Sequence, residues 1–287
     1  MFRLDIVLLL ALESAMPYFL AGWLIGVVAL AMAGAVLLSP RSLAQPERSA
    51  VPTPDHIVIT MMENHSFSQI MDGKDAPYIQ GLARHGALFT RSFALLHPSQ
   101  PNYFALFSGS THGVTDDEDH SLSGPTLADL LQARGKPVIG YIEDGSPRKH
   151  NPWESFPGDR KVERPLADFP TDFAGLPTVS FVIPNEQHDM HDETVAEADR
   201  WLRGHLGAYA DWCRHHNSLL IVTFDEDNGR DKNRIPTIFV GDGIMPGHYD
   251  GRIDHYNVLR TILAMYGLPP LAQTAFVSPI TAIWRAR

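Results

Sequence analysis

Five short apolar runs, rich in β-branched residues, constrain this chain most: 56–62 (HIVITMM), 137–142 (PVIGYI), 177–183 (PTVSFVI), 218–224 (SLLIVTF) and 235–240 (IPTIFV). A run that is apolar at consecutive positions belongs to a strand covered on both faces. Stretches with helical spacing alternate with these runs, at 126–134, 194–214 and 255–266. That alternation predicts a parallel sheet with helices packed on each side. Such sheets bind ligands beyond the carboxyl ends of their strands, and the polar clusters of this sequence stand there. The run 56–62 leads into Glu63-Asn64-His65-Ser66, the run 177–183 into 184–192 (PNEQHDMHD), and the run 218–224 into Asp225-Glu226-Asp227-Asn228-Gly229.

The first fifty residues differ from the rest. Residues 14–40 hold no charged side chain, and 16–38 are almost wholly apolar or small, long enough to span a hydrocarbon core as a helix. With the small residues of 42–44 behind it, the segment 1–44 is expected to be a signal peptide or an uncleaved membrane anchor. That predicts a periplasmic, secreted or membrane-anchored protein. Residues 45–54 (QPERSAVPTP) read as a linker, and 55–287 as one domain. The net charge of −10 lies wholly beyond the leader, because Arg3, Asp5, Glu13 and Arg41 cancel. An acidic domain without a Lys/Arg run argues against nucleic acid as a partner. The one cysteine, Cys213, excludes an internal disulfide framework and a multi-cysteine zinc site. All 14 histidines lie beyond residue 50, in short polar clusters suited to metal or acid–base chemistry.

Each cluster has a functional and a plain reading. Glu63 and Asn64 offer an anionic and a neutral oxygen to a hard cation, or cap a helix. In His97-Pro98-Ser99-Gln100-Pro101-Asn102-Tyr103, Pro101 predicts a helix start at Ser99. A helix N-terminus favours an anion such as phosphate, though an ordinary capping serine fits the same pattern. Asp225 and Glu226 repel each other unless a cation or solvent compensates; the plain reading is a solvated turn closed by Asn228-Gly229. In His188-Asp189-Met190-His191-Asp192, His191 can bind metal or protonate a leaving group, unless the segment is only the opening turn of a helix. His255, in Asp254-His255-Tyr256, is either a ligand or a residue of a helix start.

In order, the segments 57–70, 97–114, 184–192, 223–229 and 254–269 resemble the phosphoesterase family that contains bacterial acid phosphatases and non-haemolytic phospholipases C. The chain looks like the short, acid-phosphatase-like branch. The resemblance implies an alkaline-phosphatase-like fold, a three-layer α/β/α sandwich with a mostly parallel central sheet. It makes 55–287 a catalytic domain and implies a metal-dependent phosphate-ester hydrolase. Ser99-Gln100-Pro101-Asn102 is also similar to the nucleophile turn of nucleotide pyrophosphatase/phosphodiesterases. That likeness implies Ser99 as nucleophile, passing through a phosphoserine, and Asn102 as the group steadying a phosphoryl oxygen. Glu63, Asn64, Asp225 and Glu226 are implied to hold the metal together with Ser99, and His255 joins them as a candidate ligand. The two-zinc enzymes of the superfamily carry Asp-His where this chain has Asp225-Glu226, so one divalent ion is expected. Oxygen ligands suit Mg, Mn or Ca, and nearby histidines admit Zn. The expected substrate is a small phosphate ester, lipid-derived ones included, with membrane contact only through the N-terminal segment. A phosphomonoesterase is the leading reading, against a phosphodiesterase or phospholipase C, and against a metal-stabilised binding protein with a decayed site.

Overall fold

The computed structural model describes residues 51–285. The expected leader over 1–44 lies outside them; among the described residues, no helix is long and apolar enough to cross a membrane. The strands are β1 (His56–Met62), β2 (Ala87–Phe93), β3 (Val138–Ile142), β4 (Glu163–Pro165), β5 (Val179–Ile183), β6 (Ser218–Phe224), β7 (Arg234–Gly241), β8 (Gly247–Tyr249) and β9 (Ile253–Asp254). The helices are α1 (Phe67–Met71), α2 (Pro77–His85), α3 (Gln100–Ser108), α4 (Leu127–Gln132), α5 (Val195–Trp212) and α6 (His255–Met265). The sheet runs β4-β3-β5-β1-β6-β7-β2-β8, with β9 also on β2.

Strand β1 shows why the sandwich forms. Ile57, Ile59 and Met61 enter one core with Phe104 and Phe107 of α3, Leu127 and Leu131 of α4, and Leu259 and Ile262 of α6. Val58 and Met62 enter the other, with Ile70 of α1, Ile79 and Leu82 of α2, and Leu202 and Leu206 of α5. Both faces are dry, so the strand needs apolar residues in succession. Each fully buried Ile or Leu contributes roughly 1.5–3 kcal/mol. The three-layer α/β/α sandwich with a mostly parallel sheet is what the chain forms.

One strand departs from the parallel pattern. The run 235–240 lies in β7, which pairs antiparallel with both β6 and β2. The connection 225–233 is too short for a parallel crossover, which needs a dozen residues or more. Asp227 holds it: its carboxylate accepts the N–H groups of Gly229, Asp231 and Asn233.

Candidate active site

The register of β1 and β6 builds the centre of the site. Met62 is paired with Phe224, so Glu63 and Asp225 leave neighbouring parallel strands side by side. The Asp225 N–H donates to Met62 O at 2.9 Å, and the Asn64 N–H to Asp225 Oδ1 at 3.1 Å. Both carboxylates are fully buried. Asn64 adopts a left-handed φ of 46°, a conformation that asparagine tolerates.

Ser99 is the N-cap of α3, and Pro101 stands in its first turn. The Ser99 hydroxyl makes no capping bond; instead it donates to Glu63 Oε2 at 3.1 Å. One turn on, the Tyr103 hydroxyl donates to Glu63 Oε1 at 2.5 Å, and its ring stacks on His150, centroids 4.9 Å apart. His150 Nε2 lies 3.2 Å from Glu63 Oε1, and its Nδ1 lies 3.5 Å from Asp189 Oδ2. Glu63, His150 and Asp189 are all buried, and each presents a ligand atom within 4.8 Å of the other two. They form a possible metal-binding group.

Two packing devices bring in His150 and Asp189. The turn around His150 is laid on the sheet by Trp153, whose ring fills the place of a side chain at Gly140; a Cβ there would meet it at 2.3 Å. The loop carrying Asp189 is gathered by Glu143, which accepts from Asn185 N, His188 Nδ1 and Trp201 Nε1.

The other expected site residues are arranged differently. Asn102 is buried and its amide is engaged. Its Oδ1 accepts from Leu95 N and Leu96 N, and its Nδ2 donates to Leu96 O and Pro98 O. No donor is left for a phosphoryl oxygen, so the amide serves the loop that delivers Ser99. Asn102→Ala should strand two backbone N–H groups and lower stability by about 2 kcal/mol. An unchanged chemical-denaturation midpoint would contradict this. His191 is exposed and its Nδ1 pairs with Asp192 at 2.7 Å; only its backbone N–H reaches the site, donating to Asp189 Oδ1. His255 is buried behind Asp225, with Nε2 donating to the Asp225 carbonyl at 3.1 Å. Glu226 meets His97 Nδ1 at 2.7 Å.

Charge is crowded here. Burial and the charge of Glu63 push Asp189 up to about 9. Burial, Glu63 and Asp117 push Glu226 up to about 8. Asp225 is raised well above the carboxylate range by burial, Glu63 and Glu226. Glu63 is the exception: burial opposes its charge, but His150, the Tyr103 hydroxyl and Lys149 outweigh it and hold it down at about 2. Asn64 Oδ1, Asp225 Oδ2, Asp189 Oδ2 and both His150 nitrogens are buried without an aligned hydrogen bond. Native proteins rarely leave such groups unpaired, and a divalent cation between Glu63, His150 and Asp189 would satisfy those on that side. The donor set therefore fits a metal.

Asp189 lies in the 188–192 cluster that the sequence offers for metal or proton chemistry, where His191 was singled out instead, and Tyr103 lies in the Ser99 segment without a role expected for it. His150 was missed altogether. Its signal was the rule applied elsewhere, that polar residues follow a buried run, extended past 137–142 into Arg148-Lys149-His150-Asn151.

The sequence profile of the Phosphoesterase family matches residues 71–269. A phosphatidylinositol-3-phosphatase of Mycobacterium tuberculosis is 45% identical over 253 residues, covering 82% of this chain and 85% of the relative. A phosphate-repressible acid phosphatase of Penicillium chrysogenum is 30% identical over 76% of this chain, which spans 60% of that relative's length. Among solved structures, a protein of the alkaline phosphatase superfamily from Vibrio parahaemolyticus has a TM-score of 0.57 at 16% identity, covering 76% of this chain and 67% of its own. The lipoteichoic acid synthase LtaP of Listeria monocytogenes has 0.54 at 14%, covering 77% and 74%. At such identities these two speak for the fold alone. The matched stretch contains Ser99, His150, Asp189 and Asp225, the groups that close around Glu63, and on this combination the chain belongs to the Phosphoesterase family and is a phosphoric ester hydrolase.

Proposed function

We propose that the chain is a phosphomonoesterase that works through a phosphoserine on Ser99. One observation carries this reading. A serine at the N-terminus of a nine-residue helix gives its hydroxyl to a buried carboxylate, beside acids that each keep one buried oxygen without an aligned hydrogen bond. Glu63, Asn64, Asp225 and Ser99, with Glu226 beside them, would hold the divalent cation on one side of Glu63. His150 and Asp189 offer ligands on its other side. When bound, the cation supplies Lewis-acid polarisation of a phosphoryl oxygen and a lower pKa for the serine hydroxyl.

The residues of the chain do the rest. The Ser99 hydroxyl hydrogen points at Glu63, whose carboxylate takes the proton as the oxygen attacks phosphorus. Ser99 Oγ bonds to phosphorus in line with the departing alkoxide, and the ester P–O bond breaks. The departing oxygen takes a proton from His97. We assign this to His97, not to His191, because His97 precedes Ser99 by two residues; its ring nitrogens rest on Glu226 at 2.7 Å and on Asp227 at 3.3 Å, and the longer contact would open for the leaving oxygen. Water then attacks the phosphoserine and gives a proton to His97, while the P–O bond to Ser99 breaks and the Ser99 oxygen recovers its proton from Glu63, releasing inorganic phosphate. Positioning and charge stabilisation carry most of such a reaction.

The 45% identical relative bears the name phosphatidylinositol-3-phosphatase, which makes an inositol-lipid monoester the first natural substrate to try. The class is tested with p-nitrophenyl phosphate and its bis-ester. The monoester should be favoured by at least about tenfold in kcat/KM. The reverse order would replace this reading with a phosphodiesterase.

A further inference from the structure

We propose that Lys149 recognises the second negative charge of a phosphomonoester and so sets the preference for monoesters over diesters. This rests on the phosphomonoesterase reading above. A phosphomonoester carries close to two negative charges above its second pKa near 6. It must approach the buried acidic groups Glu63, Asp189, Asp225 and Glu226.

Lys149 links two of the segments around those groups. Its Nζ lies 3.1 Å from Glu186 Oε1 and 3.7 Å from Asp117 Oδ2. Glu186 belongs to the loop that carries Asp189. The other oxygen of Asp117 accepts the N–H of Gln100 at 2.9 Å, and Gln100 follows Ser99 directly. One carboxylate thus joins the ammonium to the nucleophile's own backbone, and the residue after Lys149 is His150, which touches Glu63. Neighbouring Arg148 is spent elsewhere, on Gln100 Oε1, His120 O, Ser155 Oγ and Asp119.

The partners of Lys149 are replaceable. The Asp117 and Glu186 side chains are each 30% exposed, so both can turn to water while a phosphoryl oxygen takes the ammonium. A compact point charge suits that exchange. Asp117 then acts as a built-in competitor of the substrate. A purely structural lysine, tying the loop of Asp117 to the loop of Glu186, would have no such competitor.

The test uses the full, metal-loaded chain, p-nitrophenyl phosphate, its singly charged bis-ester, and inorganic phosphate as inhibitor. Lys149→Met should lower kcat/KM for the monoester by about 10- to 100-fold, mostly through KM, the size of a lost charged hydrogen bond. The bis-ester should lose much less, Ki for phosphate should rise in parallel with the monoester KM, and bound metal should be unchanged. Asp117→Asn keeps an acceptor for the Gln100 N–H but removes the competing charge, so phosphate should bind more tightly and the monoester KM should fall. Equal losses on both esters in Lys149→Met, or weaker phosphate binding in Asp117→Asn, would overturn the proposal while leaving the monoesterase reading in place. A wild-type preference for the bis-ester would remove that reading, and this role with it.

Discussion

Replacing Ser99 by alanine is expected to lower kcat by about 10⁴- to 10⁶-fold, as loss of a covalent nucleophile does in other hydrolases, with the fold intact. The contacts of the neighbouring serines single it out. Ser66 is engaged in the capping box of α1. The Ser108 hydroxyl donates to Phe104 O, and Ser110 Oγ accepts from His112 N. Ser99 alone among them turns its hydroxyl to the carboxylates. It makes no side-chain capping bond, so the substitution should cost less than the roughly 1 kcal/mol of an ordinary cap. Brief incubation with substrate and acid quenching should trap phosphate on Ser99 in the wild type. Near-normal turnover in Ser99→Ala, or phosphate on another residue, would transfer the attack to water.

Removal of the divalent cation is expected to abolish turnover, and one added metal to restore it. The same groups give the effect a pH signature. Without metal, Asp189 and Glu226 hold protons up to about 9 and about 8, and Asp225 is also raised. Unfolded, such carboxylates lose their protons near pH 4. Between about pH 4 and the raised values, the native state therefore binds more protons than the unfolded state. The contribution of these groups to stability falls as pH rises through that window. Metal must displace the protons, so its affinity should rise over the same range. Thermal unfolding of the metal-free protein at pH 6 and pH 8.5, with and without added cation, checks both signs. Full activity in a verified metal-free preparation, or a metal-free protein more stable at pH 8.5, would contradict this account.

Much of the fold was legible because β1, β5 and β6 are buried on both faces and cannot contain charge between their ends. The same logic pointed to Glu63 and Asp225, each the first polar side chain after a dry strand. Strand β2 escaped notice because it lies nearer the edge, its apolar run stops after Ala87-Leu88-Phe89, and it exposes Arg91. The direction of β7 depended on the length of one loop. His150 and Lys149 were hidden for another reason. Their turn is brought to the site by Trp153 lying over Gly140, a contact that no local spacing encodes. Asn102 shows the converse: the motif carries a polar residue whose whole hydrogen-bonding capacity serves the chain itself.

The two sides of the site differ in stiffness. Glu63 and Asp225 end strands tied to each other over seven registered pairs, so their oxygens have little freedom to follow an ion of the wrong radius. His150 and Asp189 come from a short turn and a loop, placed by side-chain packing and hydrogen bonds and not by strand pairing. A cation held on the strand side would meet a preset gap, which the small ion that demands near-ideal octahedral spacing and the larger one that accepts irregular shells would fill differently. Selectivity among metals would then be written into the sheet register.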